Sequence, residues 1–230
     1  MLNAEIGVGC GSSGDCGGSG GCPKTPDFCI KRHDTRPSFK VSVSDCDGVL
    51  DLTDENLALE ASMWFQAKLK TAVNQSATAI SFADNIGFDQ VLVGDIIVTD
   101  KVRNPEKMIV LSIDEVAKTI TVQRGQNGST PQPIQRGSTL KVFRFIDFPS
   151  EIESVFGDVT NLDGTTVNEL LDTFLVFNWE DDHTSLPGCY QMEFKLVRIS
   201  PSTAEVEWTK RFPLSSDGFF INVVDSATSN

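Results

Sequence analysis

Few residues in this chain have the type and spacing for chemistry. His183 follows Glu180-Asp181-Asp182 and precedes Thr184-Ser185, with Cys189 a little further on. A Ser or Cys nucleophile beside a His and an Asp is the composition of an acyl-transfer site. Triad members, however, converge from separate elements, whereas these are neighbours in a predicted loop. No Gly-x-Ser-x-Gly elbow occurs. A polar strand-to-strand loop is the expectation. His33-Asp34, ahead of Thr35-Arg36-Pro37, has the types of an acid–base or metal pair. Local backbone bonding at the start of a strand is the plainer expectation. Asp45, Asp47 and Asp51 are spaced loosely like a calcium loop, but Gly48 follows Asp47 directly, so a tight turn is predicted. Arg124-Gly125-Gln126-Asn127-Gly128 has no Gly-Lys-Ser/Thr after it and reads as a strand end and turn, not a phosphate loop. The expectation is therefore no catalytic, cofactor-binding or metal-ligating set, and no enzyme.

The cysteines are the other reactive groups. Cys10, Cys16, Cys22 and Cys29 are separated by five, five and six residues, while Cys46 and Cys189 stand in the body of the chain. Structural zinc sites carry closer Cys pairs than this. Disulfides within the first four, or between subunits, and free thiols both remain open. Cys10, Cys16, Cys22 and Cys29 are the candidate disulfide residues.

These groups must be positioned by a largely β chain. The 230 residues suffice for one large or two modest domains, and the 40% apolar content supports a packed core. Residues 1–29 are dominated by Gly and Ser and have no hydrophobic period, so a flexible Gly/Cys-rich arm is expected. Phe39, Val41 and Val43 alternate with polar residues, the period of a half-buried strand. Leu57 to Phe65 reads as another strand. Residues 71–146 carry short β runs at 79–82, 91–98, 107–113, 119–124 and 140–145, punctuated by Gly, Asn and Pro, which predicts a small barrel or sandwich. Ser150 to Phe156 and Val167 to Leu171 are expected to make short helical turns. Strands follow at 174–179, 190–196, 204–209 and 218–224, and Trp64, Trp179 and Trp208 are expected to be packing residues.

Charge narrows the partners. With 32 Asp and Glu against 19 Lys and Arg, the net charge of -13 repels nucleic acid and anionic membrane surfaces. No apolar run approaches the roughly 20 residues of a membrane-spanning helix. The first residues lack the pattern of a signal peptide. The expectation is a chain made in a cytoplasm, with no nucleic acid or membrane partner.

Two separated blocks share a further likeness. One is Lys31-Arg32-His33-Asp34-Thr35-Arg36-Pro37-Ser38-Phe39 with Ser44-Asp45-Cys46-Asp47-Gly48-Val49-Leu50-Asp51-Leu52-Thr53. The other runs from Leu175-Val176-Phe177-Asn178-Trp179 through Leu186-Pro187-Gly188-Cys189-Tyr190-Gln191-Met192-Glu193-Phe194, and closes on Phe212-Pro213 and Gly218-Phe219-Phe220-Ile221-Asn222-Val223. Together they resemble the N-terminal immunoglobulin-like domain of tailed-phage baseplate upper proteins. The stretch from Ile120 to Gly128 with Gly137-Ser138-Thr139-Leu140 is similar to a small β module of phage tail and fibre proteins. The resemblance implies a mainly β fold: an immunoglobulin-like β-sandwich of residues 30–70 and 147–230, split by an inserted small barrel or sandwich module at 71–146, behind the arm at 1–29. It implies a virion protein of a tailed bacteriophage, assembled in the host cytoplasm. The expected role is an adaptor joining an appendage or fibre to the tail, baseplate or neck. Its partners would be other tail, neck or fibre proteins, and copies of itself in a symmetric homo-oligomer. A receptor- or carbohydrate-binding module of a tail fibre, or a capsid decoration protein, is the alternative.

Overall fold

The computed structural model describes residues 4–7, 26–45, 48–49, 51–83, 85–99, 104–213 and 218–225. Strands make up 56% of the described residues, against roughly 20–25% in an ordinary globular domain, so the fold is mainly β. In chain order the strands are β1 (Ala4–Gly7), β2 (Phe28–Lys31), β3 (Phe39–Ser42), β4 (Ser44–Asp45), β5 (Gly48–Val49), β6 (Leu57–Lys68) and β7 (Ala79–Ile80). After the short helix α1 (Asn85–Asp89) come β8 (Ile96–Thr99), β9 (Lys107–Asp114), β10 (Thr119–Gln123), β11 (Thr139–Thr160), β12 (Thr166–Phe177), β13 (Gly188–Ile199), β14 (Val206–Phe212) and β15 (Phe219–Val224). Met1–Ala61 with Asp147–Asn230 form one compact unit, and Ser62–Ile146 the other. The boundary falls inside β6 and β11, so Ser62–Lys70 belong with the middle unit and not, as the sequence suggested, with the first.

In the two-segment unit, alternation drives two layers together. β3 pairs antiparallel with β12, placing Phe39 opposite Phe177 and Val41 opposite Leu175. β13 pairs antiparallel with β15, and β2 joins β15 in parallel, aligning Tyr190, Ile221 and Phe28. All seven of these side chains are buried. Phe39 stacks on Phe194 at 5.8 Å and meets Phe28 and Phe219 edge-on at 5.1 and 5.5 Å. Offset and edge-to-face pairs of this kind add about 0.5–1.5 kcal/mol beyond area burial. β14 and β15 lie successively along β13, with Phe194 opposite Phe212 and Met192 opposite Phe219. One strand run is thus interrupted just after Phe212, at the Phe212–Pro213 cis peptide, where proline removes a ladder donor.

In the middle unit β8, β9 and β10 form an antiparallel meander, flanked by β7 on β10 and by the start of β11 on β8. Ile97, Met108, Val110, Ile120, Val122, Leu140 and Val142 point into one core. Within residues 91–98, expected to contain a strand, β8 begins only at Ile96 and runs to Thr99. Gly94 turns the chain at φ 98°, and the Asp95 carboxylate accepts the Leu92 N–H at 2.8 Å.

The expected helical turns at Ser150–Phe156 and Val167–Leu171 are instead parts of the paired strands β11 and β12, with Glu151–Val155 opposite Asp172–Val176 and Val167–Leu170 opposite Phe156–Val159. Pairing along the two long strands satisfies their backbone groups, which overrides weak local helical pattern. The hairpin turns at Asp163-Gly164. There Gly164 takes φ 83°, and Asp163 accepts bonds from the Thr165 N–H and hydroxyl.

Candidate functional site

The His183 loop connects β12 to β13. The ring is buried, 4.9 Å from Phe148 in an edge-on contact and 5.4 Å from Phe177. Its Nδ1 accepts the Glu180 N–H at 3.1 Å. In the neutral ring, Nε2 then carries the hydrogen. That edge faces Asp182 at 3.8 Å and Glu180 at 3.9 Å. The ligand-type atoms of Glu180, Asp182 and His183 lie within 4.8 Å of one another, the spacing of a metal site. The tautomer opposes that use, because a metal on Nε2 would displace the hydrogen while Nδ1 still faces a donor. The arrangement makes the histidine the acceptor of a backbone N–H and a packing element of the loop, with its Nε2 edge turned toward two carboxylates beyond hydrogen-bond distance. Ser185 donates its hydroxyl to the Asp182 carbonyl at 2.8 Å.

His33 sits at φ 59°, with Nδ1 3.3 Å from the Asp181 carboxylate, and both side chains are exposed. Asp34 accepts the Arg36 N–H, the local bonding expected of it. Asp51 accepts both the N–H and the hydroxyl of Thr53, which hold its carboxyl below the usual range. Asp47 and Cys46 lie outside the described residues, and so does any loop they share with Asp51.

Cys189 is disulfide-bonded, and so is Cys29. A disulfide sulfur has no thiolate form, so Cys189 in this state is no nucleophile. The two cysteines are not bonded to each other. Cys29 and Cys189 are register partners of the same residue, Asn222, from opposite sides. They are two strand spacings apart, about 9.6 Å, whereas a disulfide spans Cα atoms about 4.4–6.8 Å apart. Each is bonded to some other cysteine. Cys10, Cys16 and Cys22, three of the four expected disulfide residues, lie outside the described residues. Sequence reading missed Cys189, because its place beside Asn222 depends on strand register. Asn222 itself is buried between the two, with its Oδ1 4.0 Å from the Cys189 sulfur.

Two buried ion pairs organise the middle unit. Arg124 grips Glu106 with both ends of its guanidinium, at 2.8 and 2.5 Å, and both side chains are almost wholly buried. It also donates to the carbonyls of Asn74, Ala77 and Gln132, while Glu106 accepts the Gln132 N–H. The motif at 124–128 thus anchors loops and offers no anion cradle. Arg144 lies 3.4 Å from Asp95, whose burial pushes its carboxyl up to about 6 despite that cation.

The most exposed structural feature is the β11–β12 hairpin. β3 leaves β12 at Phe174, and from Phe156–Thr160 back through Thr166–Leu171 the register runs between β11 and β12. Phe156 is 52% exposed and Leu171 49%, Leu162 is fully exposed, and Val155 and Val167 are more than a third exposed. A bulge at Leu171 lays its side chain over Gly157, where a Cβ would come within 2.4 Å of Cδ1. Isolated two-stranded ribbons are marginal in water, and exposed apolar side chains on them mark interaction surfaces. No protein-family model matches the chain, and no curated protein is similar to it in sequence.

Proposed function

We propose that this chain is a structural, protein-binding component of a tailed-phage virion, an adaptor that joins an appendage or fibre to the tail, baseplate or neck. The observation that carries the reading is the ordered pair of sequence blocks resembling the immunoglobulin-like domain of baseplate upper proteins. Packing supports it. Trp179 is buried against Phe28, Phe39 and Phe177, in the manner of the core tryptophan of immunoglobulin-like sandwiches. The Tyr190 hydroxyl donates to the Leu186 carbonyl at 3.0 Å, similar to the tyrosine corner of such folds. The middle unit then corresponds to an inserted β module. The chemistry-bearing residues favour binding over catalysis, since His183 and Cys189 both serve packing and cross-linking.

The test is a density map and protein inventory of purified particles, followed by particles assembled without this chain. Loss of an appendage and of infectivity is expected. Intact appendages with full infectivity would sink the reading. A receptor- or carbohydrate-binding role is favoured by one feature, Trp208 on β14, half-exposed with Lys210 5.5 Å from its ring centre. Glycan binding abolished by Trp208→Ala would support that alternative.

A further inference from the structure

Charge is distributed very unevenly between the two units. Residues 62–146 hold ten Lys and Arg against seven Asp and Glu, a formal +3. The remaining residues hold nine against 25, a formal -16. The hairpin is acidic even by that standard. Between Arg144 and Lys195 there is no Lys or Arg, and residues 155–172 carry Asp158, Asp163, Glu169 and Asp172. Edge strands in proteins that stay apart are commonly blunted by lysines or prolines, and residues 155–172 of this hairpin have neither. Its apolar side chains and its negative charge call for a surface that is both apolar and basic.

The middle unit carries such a surface. Register aligns Ile109, Ile96 and Phe143 on neighbouring strands β9, β8 and β11. The next outward row is Lys107, Val98 and Lys141. All six face away from the buried row of Ile97, Met108 and Val142, and all are half-buried. Leu111, at the bulge of β9 opposite β10, adds an apolar side chain that is 51% exposed. No carboxylate falls in these two rows. The patch is a lysine-flanked apolar sheet face.

We propose that the β11–β12 hairpin of one copy of this chain docks on the outer β9–β8–β11 face of a second copy. Because the two surfaces differ, the contact either closes reciprocally in a two-fold dimer or repeats head-to-tail into a ring or filament. A symmetric hairpin-to-hairpin contact is disfavoured, since it would bring two acidic ribbons together. The inference stands on the hairpin and the sheet face and is independent of the virion reading.

The experiment is analytical ultracentrifugation of the full chain across a concentration series, at low and high salt. Concentration-dependent association that weakens with salt is expected. A chain that stays monomeric at all concentrations in low salt overturns the proposal. Asp158→Lys/Glu169→Lys and Lys107→Glu/Lys141→Glu are then compared, with thermal unfolding to verify that each folds. Each double variant alone is expected to associate about tenfold or more weakly, in line with loss of interface charge pairs. An equimolar mixture is expected to regain wild-type association, because every contact in an alternating assembly then joins opposite charges. Unchanged association in either variant, or a mixture as weak as its parts, overturns it. If a variant fails to fold, the salt dependence decides together with Phe156→Ser, which is expected to weaken association without touching charge.

Discussion

The side chains with the richest chemistry here are placed by their neighbours, and two of them are testable singly. Asp95 is a buried carboxylate whose pKa lies near 6, raised from 3.8 mainly by desolvation. Its folded state therefore holds a proton more tightly than its unfolded state. The contribution of this group is greatest below the unfolded value and is lost as pH rises through about 6. Exposed Asp51 and Asp163 and half-buried Asp54 act in the opposite sense: hydrogen bonds lower their pKa values, and their contribution is lost as pH falls. The expected signature is that the stability gap between wild type and Asp95→Asn widens as pH is lowered from about 7 to 4. Denaturant titrations at several pH values measure it, and a constant gap would remove Asp95 as the cause. His183→Ala should cost about 1–3 kcal/mol, because it strands the Glu180 N–H and opens the contact with Phe148 and Phe177. His183→Asn, which keeps an acceptor near that N–H, should recover part of the loss. These roles were only half legible in sequence. The loop around His183 was readable from its run of acids, but the ring's burial was not, since Phe148 is 35 positions away.

Among elements, the loops of the middle unit depend on one ion pair. Arg124→Ala leaves Glu106 buried without its cation, and a loss of about 3–5 kcal/mol is expected. Replacing both residues by apolar ones, Arg124→Met/Glu106→Leu, should cost less than the single change, because no charge is then stranded. Thermal or denaturant unfolding of the two variants compares them. If the double variant is the less stable, the loop anchoring by Arg124 outweighs the stranded charge. The hairpin is the element that sequence misassigned. In Ser150–Phe156 the apolar residues Ile152, Val155 and Phe156 fall at helix-like spacing, and Val167–Leu171 holds two adjacent leucines, so neither has clean strand periodicity. Within the long strands β11 and β12, Phe156 lies against Leu170 and Val159 against Val167, and the pairing makes a ribbon. The bulge at Leu171 is what disguises the period.

At the scale of the whole molecule, the Cys189 disulfide connects chain segments distant in sequence, because every other cysteine lies at or before position 46. Cys29 and Cys189 are each bonded to a cysteine other than the neighbour across Asn222. Peptide mapping of unreduced protein should recover the Cys189 peptide joined to a peptide containing Cys10, Cys16, Cys22 or Cys46, and no Cys29–Cys189 link. Cys189→Ser should lower stability by about 2–4 kcal/mol under oxidising conditions and change little under reducing ones. Recovery of a direct Cys29–Cys189 peptide would contradict the strand register on which this rests.

Sequence by itself determined the mainly β class, the Gly/Cys-rich opening, the acidic balance and the short-strand character of the middle region. Period-two alternation and turn residues are local properties, and composition needs no geometry at all. Tertiary structure decided the rest: that Ser62–Lys70 join the middle unit, that Cys189 shares Asn222 with Cys29, that Arg124 finds Glu106, and that two irregular segments are strands of one exposed hairpin. Each of these depends on register between strands far apart in the chain. A one-residue slip in register reverses which face a side chain occupies, and no local pattern records it.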